Sequence, residues 1–395
     1  MPRHILFLCH PDHGHVIPSL AVVTELAGRG HRVSYLTAPS MVEIVSGAGA
    51  TAATYPSRYR ETVQGSAAED PGFLIDLLLS ESAAMVSAAL ELPEPPDVVV
   101  YDTSVLFAGR VLAHRLGVPA VQHIPVFASN EHFSYLKAAY NPDAPAAFSR
   151  PAAPPSWMER ALGRFGELCA QHGVDVPAAQ LWFDVPPCNL VTSPREFQYA
   201  GDTFDDRFVF VGPCVADRSF LGTWTPPETD LPIVLISLGA VFTGHPDFFA
   251  DCIAAIRDEP VHAVLSVADA LDPATLGELP PNVEVHRFVP HTAVLEHAAL
   301  CVSHGGMGTV LEALRSGTPV IGVPWSSLDG PAVRRTAELG AGTVLDPATL
   351  TAEILGKEIV RVLAEPTYTE RAAGLATAIA AAGGAVRAAD EIERR

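Results

Sequence analysis

Basic residues are scarce in this sequence of 395 residues. Lys and Arg together number 25 against 45 Asp and Glu, which gives a formal net charge of −20 at pH 7. No run of Lys or Arg occurs that could follow the phosphate backbone of DNA or RNA, and binding to nucleic acids depends strongly on such charges. We therefore expect no nucleic-acid partner. A single bound nucleotide is still compatible with this composition, because a local backbone dipole needs no net positive charge.

Cysteines and long apolar runs are also few. The six cysteines are scattered without a C-x-x-C pair, which favours reduced thiols. Only five apolar residues, 5–9, follow Met-Pro-Arg-His at the N-terminus, far fewer than a signal peptide or a membrane span requires. We expect a soluble cytoplasmic protein that makes no membrane contact.

The composition and length of the sequence indicate a well-packed globular protein of two domains. Hydrophobic residues make up 48% and charged residues 18%, and 395 residues exceed what one core usually holds. Short apolar runs alternate with helical patterns, which predicts parallel strands joined by helices. In the first half the predicted strands are 5–9, 32–36, 98–101 and 120–123; in the second half they are 233–237, 261–267, 283–287, 300–303 and 319–323.

A segment rich in proline and poor in apolar residues separates the two halves. Residues 217–232 contain Pro226, Pro227 and Pro232, a composition typical of a linker between domains. The predicted organisation is an N-terminal domain over 1–216, a linker over 217–231 and a C-terminal domain over 232–395. Residues 140–156, with five prolines, are predicted to form a surface loop.

The second half contains a glycine-rich loop after a predicted strand. His304 follows the strand, and the loop opens a helix whose free backbone N–H groups suit a diphosphate. Gly305, Gly306 and Gly308 would let the backbone approach phosphate oxygens closely, and Thr309 adds a hydroxyl. The alternative is an ordinary strand-turn-helix connection in which the glycines serve packing, and the glycines alone do not decide between the two.

The first half has a histidine-rich loop after its first strand, His10-Pro-Asp-His-Gly-His15. It leads into a helix predicted over 18–29, with Pro18 near its first turn. The spacing of these residues does not match the ligands of metal-dependent hydrolases, so we expect no metal. For His10 and His13 we favour a capping or packing role.

Asp102 ends another predicted strand. Because the carboxyl ends of parallel strands meet at one edge of the sheet, Asp102 and His15 could meet there. The carboxylate would then hold one imidazole N–H and leave the other nitrogen as a general base. A helix cap is the alternative role for Asp102.

These motifs resemble those of the family 1 glycosyltransferases of the GT-B fold, in the bacterial branch that glycosylates macrolides and related natural products. The resemblance implies two Rossmann-like α/β domains whose parallel sheets face each other across a cleft. The N-terminal domain would bind the acceptor, the C-terminal domain would bind a nucleotide sugar, and the last helix would pack back on the N-terminal domain.

The resemblance also assigns site residues. Gly14-His15-Val-Ile-Pro18 matches the loop that carries the family's catalytic base, with Asp102 as its orienting carboxylate. Phe288 would stack on the nucleotide base, His304 and Thr309 would hold the diphosphate, and Glu312 would bind the ribose. The full set predicted to bind the donor is Ser237, Gly239, Phe288, Val289, His304, Gly305, Gly306, Met307, Gly308, Thr309, Glu312 and Asp329.

The sequence departs from the family pattern where an acidic residue and Gln are expected. Counted without gaps from Pro324, these positions hold Leu328 and Asp329. An apolar Leu328 would leave a sugar hydroxyl unpaired at a cost of about 1–3 kcal/mol, so we expect a deoxysugar. Phe288 and His291 replace the family's Trp and Gln, which leaves dTDP and UDP both open as the nucleotide.

The acceptor is expected to be a hydrophobic aglycone bound by the first half. Segments 73–90 and 127–135 supply apolar and aromatic side chains, of which Phe73, Leu78, Phe127 and Phe133 are the candidates, although core helices show the same pattern. The implied reaction is an inverting transfer without metal or resident cofactor, by a monomer or homodimer. The alternatives are an epimerase acting on UDP-sugars and a non-catalytic partner of another transferase.

Overall fold

The computed structural model describes residues 1–62, 70–140, 156–216, 223–239, 246–268, 271–273 and 278–395. They form two compact units. The first comprises Met1–Ser134, Ala146–Ala216 and Ala382–Arg395, and the second comprises Tyr135–Pro145 and Asp217–Ala381. The units differ from the predicted domain ranges at the helix Tyr135–Tyr140, which groups with the second unit. The C-terminal helix groups with the first unit, where the family resemblance places it.

Each unit is built on one sheet. The strands are β1 (His4–Leu8), β2 (Arg32–Thr37), β3 (Thr51–Thr54), β4 (Val98–Asp102), β5 (Ala120–Ile124), β6 (Asn189–Val191) and β7 (Phe208–Phe210) in the first unit, and β8 (Ile233–Ser237), β9 (His262–Ser266), β10 (Val283–His286), β11 (Ala298–Ser303), β12 (Val320–Gly322) and β13 (Gly342–Val344) in the second.

The described helices mostly connect these strands. They are α1 (His13–Gly28), α2 (Val42–Gly47), α3 (Tyr59–Thr62), α4 (Pro71–Leu90), α5 (Leu106–Leu116), α6 (Tyr135–Tyr140), α7 (Ser156–Gln171), α8 (Ala178–Phe183), α9 (Pro246–Ile256), α10 (His291–Leu295), α11 (Met307–Arg315), α12 (Gly330–Glu338), α13 (Ala352–Ala364), α14 (Pro366–Ala381) and α15 (Gly384–Glu393).

The strand order places a switch point in the middle of each sheet. The first sheet runs β3-β2-β1-β4-β5-β6-β7 and the second β10-β9-β8-β11-β12-β13, and all paired strands are parallel. The order reverses between β1 and β4 in one sheet and between β8 and β11 in the other. Ligands of open α/β sheets bind beyond the carboxyl ends of strands at such points. Asp102 and Ser237 are the last residues of β4 and β8, and His15 and His304 lie beyond the carboxyl ends of β1 and β11.

Helix α1 begins five residues earlier than the sequence indicates, at His13 instead of position 18. Asp12 caps it by accepting a hydrogen bond from the Gly14 N–H at 2.7 Å, and Pro18 lies inside the helix. The error came from placing Pro18 in the first turn, where proline is most frequent. His15 is consequently held on a helix in its first turn and not on a loop.

The predicted loop over 140–156 and the first part of the predicted linker lie largely outside the described residues. Residues 223–231 of the linker are described and contain neither helix nor strand. All six cysteines are buried and unpaired, as the sequence predicts.

Two helical stretches of the described chain are long and apolar enough to cross a membrane, Gly72–Leu90 and Pro366–Glu393. The first lies in α4, where Leu79, Met85 and Val86 pack in the core of the first unit. The second combines α14 and α15, which belong to different units. Core helices of soluble proteins have the same composition, so these stretches do not indicate a membrane protein.

Close packing of α5 fixes β4, the strand that ends at Asp102. A Cβ atom on Gly109 in α5 would lie 2.1 Å from Cγ of the buried Tyr101 ring. Replacing Gly109 by Ala should lower the free energy of unfolding by about 1–3 kcal/mol through overpacking, measured by urea denaturation. A Cβ on Gly163 in α7 would have no atom within 4 Å, so Gly163→Ala is the control and should raise stability by up to about 1 kcal/mol. Equal effects of the two substitutions would contradict this packing.

Candidate active site

His15 and Asp102 meet at the switch point of the first sheet. The imidazole Nδ1 lies 2.8 Å from Asp102 Oδ1. The side chain of Asp102 is 2% exposed and that of His15 is 22% exposed, so the carboxylate is closed to solvent while the imidazole is accessible. None of the described residues hydrogen-bonds Nε2 of His15. The predicted pairing therefore exists, and the nitrogen that remains is the one a general base would use.

Asp102 has three further hydrogen-bond donors. The backbone N–H and the hydroxyl of Ser104 donate to Oδ1 at 2.8 Å and 2.5 Å, and His123 Nδ1 lies 3.4 Å from Oδ2. The Ser104 N–H bond is a cap of the short helical turn after β4. Both roles considered for Asp102 are thus filled by the same side chain.

The environment favours an ionised pair. Burial lowers the pKa of His15, but the charge of Asp102 and its hydrogen bond raise it by more, so that the pKa lies above its ordinary value. Burial raises the pKa of Asp102, but this is outweighed by His15 and His123, so the carboxyl pKa lies well below its usual range. Asp102 is therefore a stable anion that supports a protonated His15.

His10 packs beside this pair. Its ring centroid lies 4.5 Å from that of His15 and 4.4 Å from that of Tyr59, and its Nδ1 hydrogen-bonds the Ser104 hydroxyl. Burial, and then the neighbouring His15, lowers the pKa of His10 to about 4. His10 is thus a neutral ring that contacts His15 without adding charge, in agreement with the packing role favoured for it.

One cluster in the described chain has the composition of a metal site. Ligand atoms of Cys9, His10 and Asp102 lie within 4.8 Å of one another. Burial raises the pKa of the Cys9 thiol well above its ordinary value, and the hydroxyl of Ser104 already bonds both His10 and Asp102. These features suit a packed polar core better than a metal centre, because a cysteine binds metal as the thiolate.

The second unit brings two loops together at its own switch point. Ser237 and Ser303 are the final residues of β8 and β11 and are paired in register. Each hydroxyl accepts a hydrogen bond from the backbone N–H two residues later, Gly239 and Gly305 respectively, both at 3.1 Å. The two loops therefore turn in the same way, side by side.

Glycines let the ring of His304 lie between these loops. A Cβ on Gly239, whose φ is +74°, would lie 2.7 Å from His304 Cε1, and one on Gly306 would lie 2.5 Å from His304 Nε2. At Gly305, with φ of +101°, a Cβ would meet Val333. Gly308 differs, since no atom lies within 4 Å of its Cβ position. Three glycines are thus needed for packing, and Gly308 borders open space.

Asp329 completes this cluster. Its Oδ1 lies 3.9 Å from His304 Nε2, and its Oδ2 accepts a hydrogen bond from the Ser326 hydroxyl at 2.6 Å. The buried carboxylate is therefore fixed beside the imidazole that is predicted to hold the diphosphate.

The remaining predicted donor residues occupy positions around this edge. Phe288 follows β10 and is 43% exposed, with the Arg287 guanidinium 6.0 Å from its ring centroid, whereas Val289 is buried. Met307, Gly308 and Thr309 form the first turn of α11, and Glu312 is buried one turn later. Their contacts with a nucleotide stay a prediction.

Tyr135 is a residue of this region that the sequence did not reveal. The sequence places it in an acceptor segment, but α6 groups with the second unit. The Tyr135 hydroxyl donates to the Leu328 carbonyl at 3.1 Å, and Arg334 donates to the Ala138 carbonyl at 2.6 Å. Tyr135 therefore supports the turn that presents Asp329. A tyrosine in a segment of mixed polarity gives no signal for such a contact in the sequence.

The predicted acceptor residues are mostly core residues of the first unit. Phe127 and Phe133 are 2% exposed, and their ring centroids lie 5.0 Å and 4.9 Å from that of Tyr199. On α4, Leu78 is buried and Phe73 is half-buried. Burial assigns the first three to packing, which leaves Phe73 as the candidate with most accessible surface.

Comparisons with known proteins agree with this geometry. The family model for the C-terminal domain of erythromycin biosynthesis protein CIII-like proteins matches residues 253–393. Demethyllactenocin mycarosyltransferase of Streptomyces fradiae is 37% identical over 99% of this chain and 86% of its own. Oleandomycin glycosyltransferase of Streptomyces antibioticus is 33% identical over 99% of this chain and 90% of its own.

The chain belongs to the family 1 glycosyltransferases of the GT-B fold, in the natural-product branch. A solved structure agrees, since the crystal structure of CalG4, the calicheamicin glycosyltransferase, has a TM-score of 0.87 and 39% identity, with 100% of this chain and 98% of that chain covered. The fold and the family predicted from the motifs are thereby confirmed.

The open space at Gly308 allows a substitution that tests whether this turn binds an anion or serves packing alone. Gly308→Ala should fold as stably as the wild type, because nothing is displaced, yet bind a nucleoside diphosphate at least about tenfold more weakly if the added methyl occupies the anion's place. Isothermal titration with UDP and dTDP measures the affinity. Gly374→Ala in α14, which also has no atom within 4 Å, is the matched control. Unchanged nucleotide affinity in both variants would support the packing alternative instead.

Proposed function

We propose that this glycosyltransferase moves a sugar, with inversion at the anomeric carbon, from a dTDP- or UDP-linked donor to a hydroxyl of a hydrophobic natural-product aglycone. His15 is the general base and Asp102 orients it. The observation that carries the proposal is the 2.8 Å bond between His15 Nδ1 and a buried carboxylate, because it leaves Nε2 as the basic nitrogen.

The reaction is a single displacement. His15 Nε2 takes the proton of the acceptor hydroxyl as that oxygen bonds to the anomeric carbon, and the bond from this carbon to the diphosphate oxygen breaks. The nucleoside diphosphate leaves as an anion. Asp102 offsets the positive charge that forms on the imidazole. Because the acceptor oxygen attacks the anomeric carbon directly, no covalent sugar-enzyme intermediate is required.

The second unit supplies groups suited to the leaving diphosphate. Helix α11 starts at Met307 without a side-chain cap, so its first N–H groups can bind phosphate oxygens, and the helix dipole adds about 0.3–1 kcal/mol. Hydrogen bonding from His304 would add to this. We infer that these groups replace a divalent metal and that the protein needs no resident cofactor.

A deoxysugar fits the residues at the sugar end of the predicted site. Leu328 offers a hydroxyl no hydrogen bond from its side chain, and its carbonyl already accepts one from Tyr135. Asp329 is the acidic group that remains in this turn. The relatives from the two Streptomyces species carry names that specify mycarosyl transfer and oleandomycin glycosylation, which supports a natural-product acceptor. We expect a monomer or homodimer acting in the cytoplasm.

Removal of the base tests the proposal. His15→Ala should lower kcat by about 10²- to 10⁴-fold, the usual contribution of a general base, with a panel of dTDP- and UDP-sugars and hydrophobic aglycones assayed by mass spectrometry. Binding of UDP or dTDP, measured as a thermal shift, should be unchanged, because His15 lies outside the unit that carries the predicted donor residues. His13→Ala, two residues earlier in the same helix, is the control and should retain activity.

Three outcomes would contradict the proposal. Full activity of His15→Ala would remove the assigned base. Conversion of a sugar nucleotide to an isomer without acceptor would favour an epimerase. Transfer that stops when a chelator removes divalent metals would refute the metal-free mechanism.

A further inference from the structure

His123 is a second histidine on the carboxylate of the proposed base pair. We propose that His123 is a positioning residue that fixes Asp102 and moderates the basicity of His15. This inference rests on the proposed role of His15 as the base. It goes beyond the pair of residues implied by the motifs, since His123 belongs to none of them.

The sheet places the two side chains side by side. Asp102 and His123 are paired in register on the parallel strands β4 and β5, and Nδ1 of His123 lies 3.4 Å from Oδ2 of Asp102. His15 contacts the other oxygen, Oδ1. The carboxylate therefore lies between two imidazoles, one partly exposed and one almost fully buried.

The geometry defines the tautomer of His123. An ionised carboxylate only accepts hydrogen bonds, so Nδ1 of His123 must carry its hydrogen. Nε2 of this ring is buried without a hydrogen-bond partner among the described residues. Buried polar atoms without partners are rare in proteins. The described hydrogen bonds of this ring are thus confined to Asp102, which gives His123 no other polar function.

A hydrogen bond donated to Oδ2 of Asp102 reduces the extent to which the carboxylate raises the pKa of His15. The hydrogen bond from His123 stabilises the carboxylate anion, so less of its charge acts on the imidazole of His15. In the absence of this donor, His15 would hold its proton more strongly and be in the basic form only at higher pH. His123 thereby widens the pH range in which the base is ready.

Other titratable groups surround the pair, and none of them is substituted in the test described below. Cys9, His10 and Asp12 face it from the end of β1 and the start of α1, and Tyr35 and Tyr59 approach from β2 and α3. His10 is neutral in the relevant pH range. The tyrosine hydroxyls and the buried thiol have pKa values raised mainly by burial, so they are neutral as well.

Two substitutions separate the hydrogen bond from the volume of the ring. His123→Leu removes the donor, whereas His123→Asn keeps an N–H group close to the position of Nδ1. The pKa of His15 is followed in the ligand-free protein by NMR of its ring nitrogens. We expect His123→Leu to raise it by about half a unit to one unit, the equivalent of one net hydrogen bond, and His123→Asn to restore most of the wild-type value. His114→Leu on the exposed side of α5 should have no effect.

The acid limb of the pH profile of kcat/KM should move in the same direction in His123→Leu. The same pKa of His15 in the wild type, His123→Leu and His123→Asn would overturn the inference, as would equal shifts in the two variants. If His123→Leu does not fold, the wild-type spectrum decides, because a His123 ring protonated on Nε2 instead of Nδ1 would also overturn it. Since the titration needs no turnover, it remains valid even if His15→Ala keeps activity and the proposed base is wrong.

Discussion

The charge of Asp102 is held at a position that is almost closed to solvent, and the rest of the proposed site depends on how that charge is accommodated. A buried carboxylate without partners would be strongly destabilising or would take up a proton. Here four hydrogen-bond donors from His15, Ser104 and His123 surround it. His15 belongs to α1, Ser104 to the turn that follows β4, and His123 to β5. The carboxylate therefore links three elements that approach each other only in the folded sheet. Of the two imidazoles on this carboxylate, that of His15 is the more exposed to solvent, which supports His15 as the proposed base.

The two units use the same geometry for different chemistry. In both, the functional residues follow the two central strands at the point where strand order reverses. In the first unit, that edge carries the buried anion Asp102 beside His15, the proposed base. In the second, it carries backbone N–H groups, an imidazole and glycines, which suit a ligand that is itself anionic. A proton acceptor and a diphosphate cradle are the two requirements of a glycosyl transfer from a nucleotide sugar.

Most core strands and the pairing of His15 with Asp102 could be predicted from the sequence, and the errors have physical causes. The alternation of apolar runs and helical patterns located β8 at its observed bounds and most other core strands within two residues, because buried parallel strands are nearly continuous apolar runs. The edge strands β3, β7 and β13 and the interior strand β6 are short and were not predicted. The start of α1 was wrong because proline inside a helix is rare, and Asp12 gave a better signal for the cap. The pairing of His15 with Asp102 could be proposed because both lie near the carboxyl ends of parallel strands. His123 could not, since its contact depends on the register of β4 and β5. Tyr135 could not either, because its helix groups with a unit distant in sequence. Phe127 and Phe133 are buried in the aromatic core, and the sequence could not show this because an aromatic core and an aromatic pocket have the same composition.

We propose that an ionised Asp102 raises the pKa of a catalytic His15. The pH dependence of kcat/KM, which reports ionisations of the free enzyme, tests this in the wild type and in Asp102→Asn. We expect an acid limb above about 6.5, the ordinary value for histidine, in the wild type, and a limb at lower pH with reduced maximal activity in Asp102→Asn. An acid limb that stays at the same pH in both proteins would contradict it.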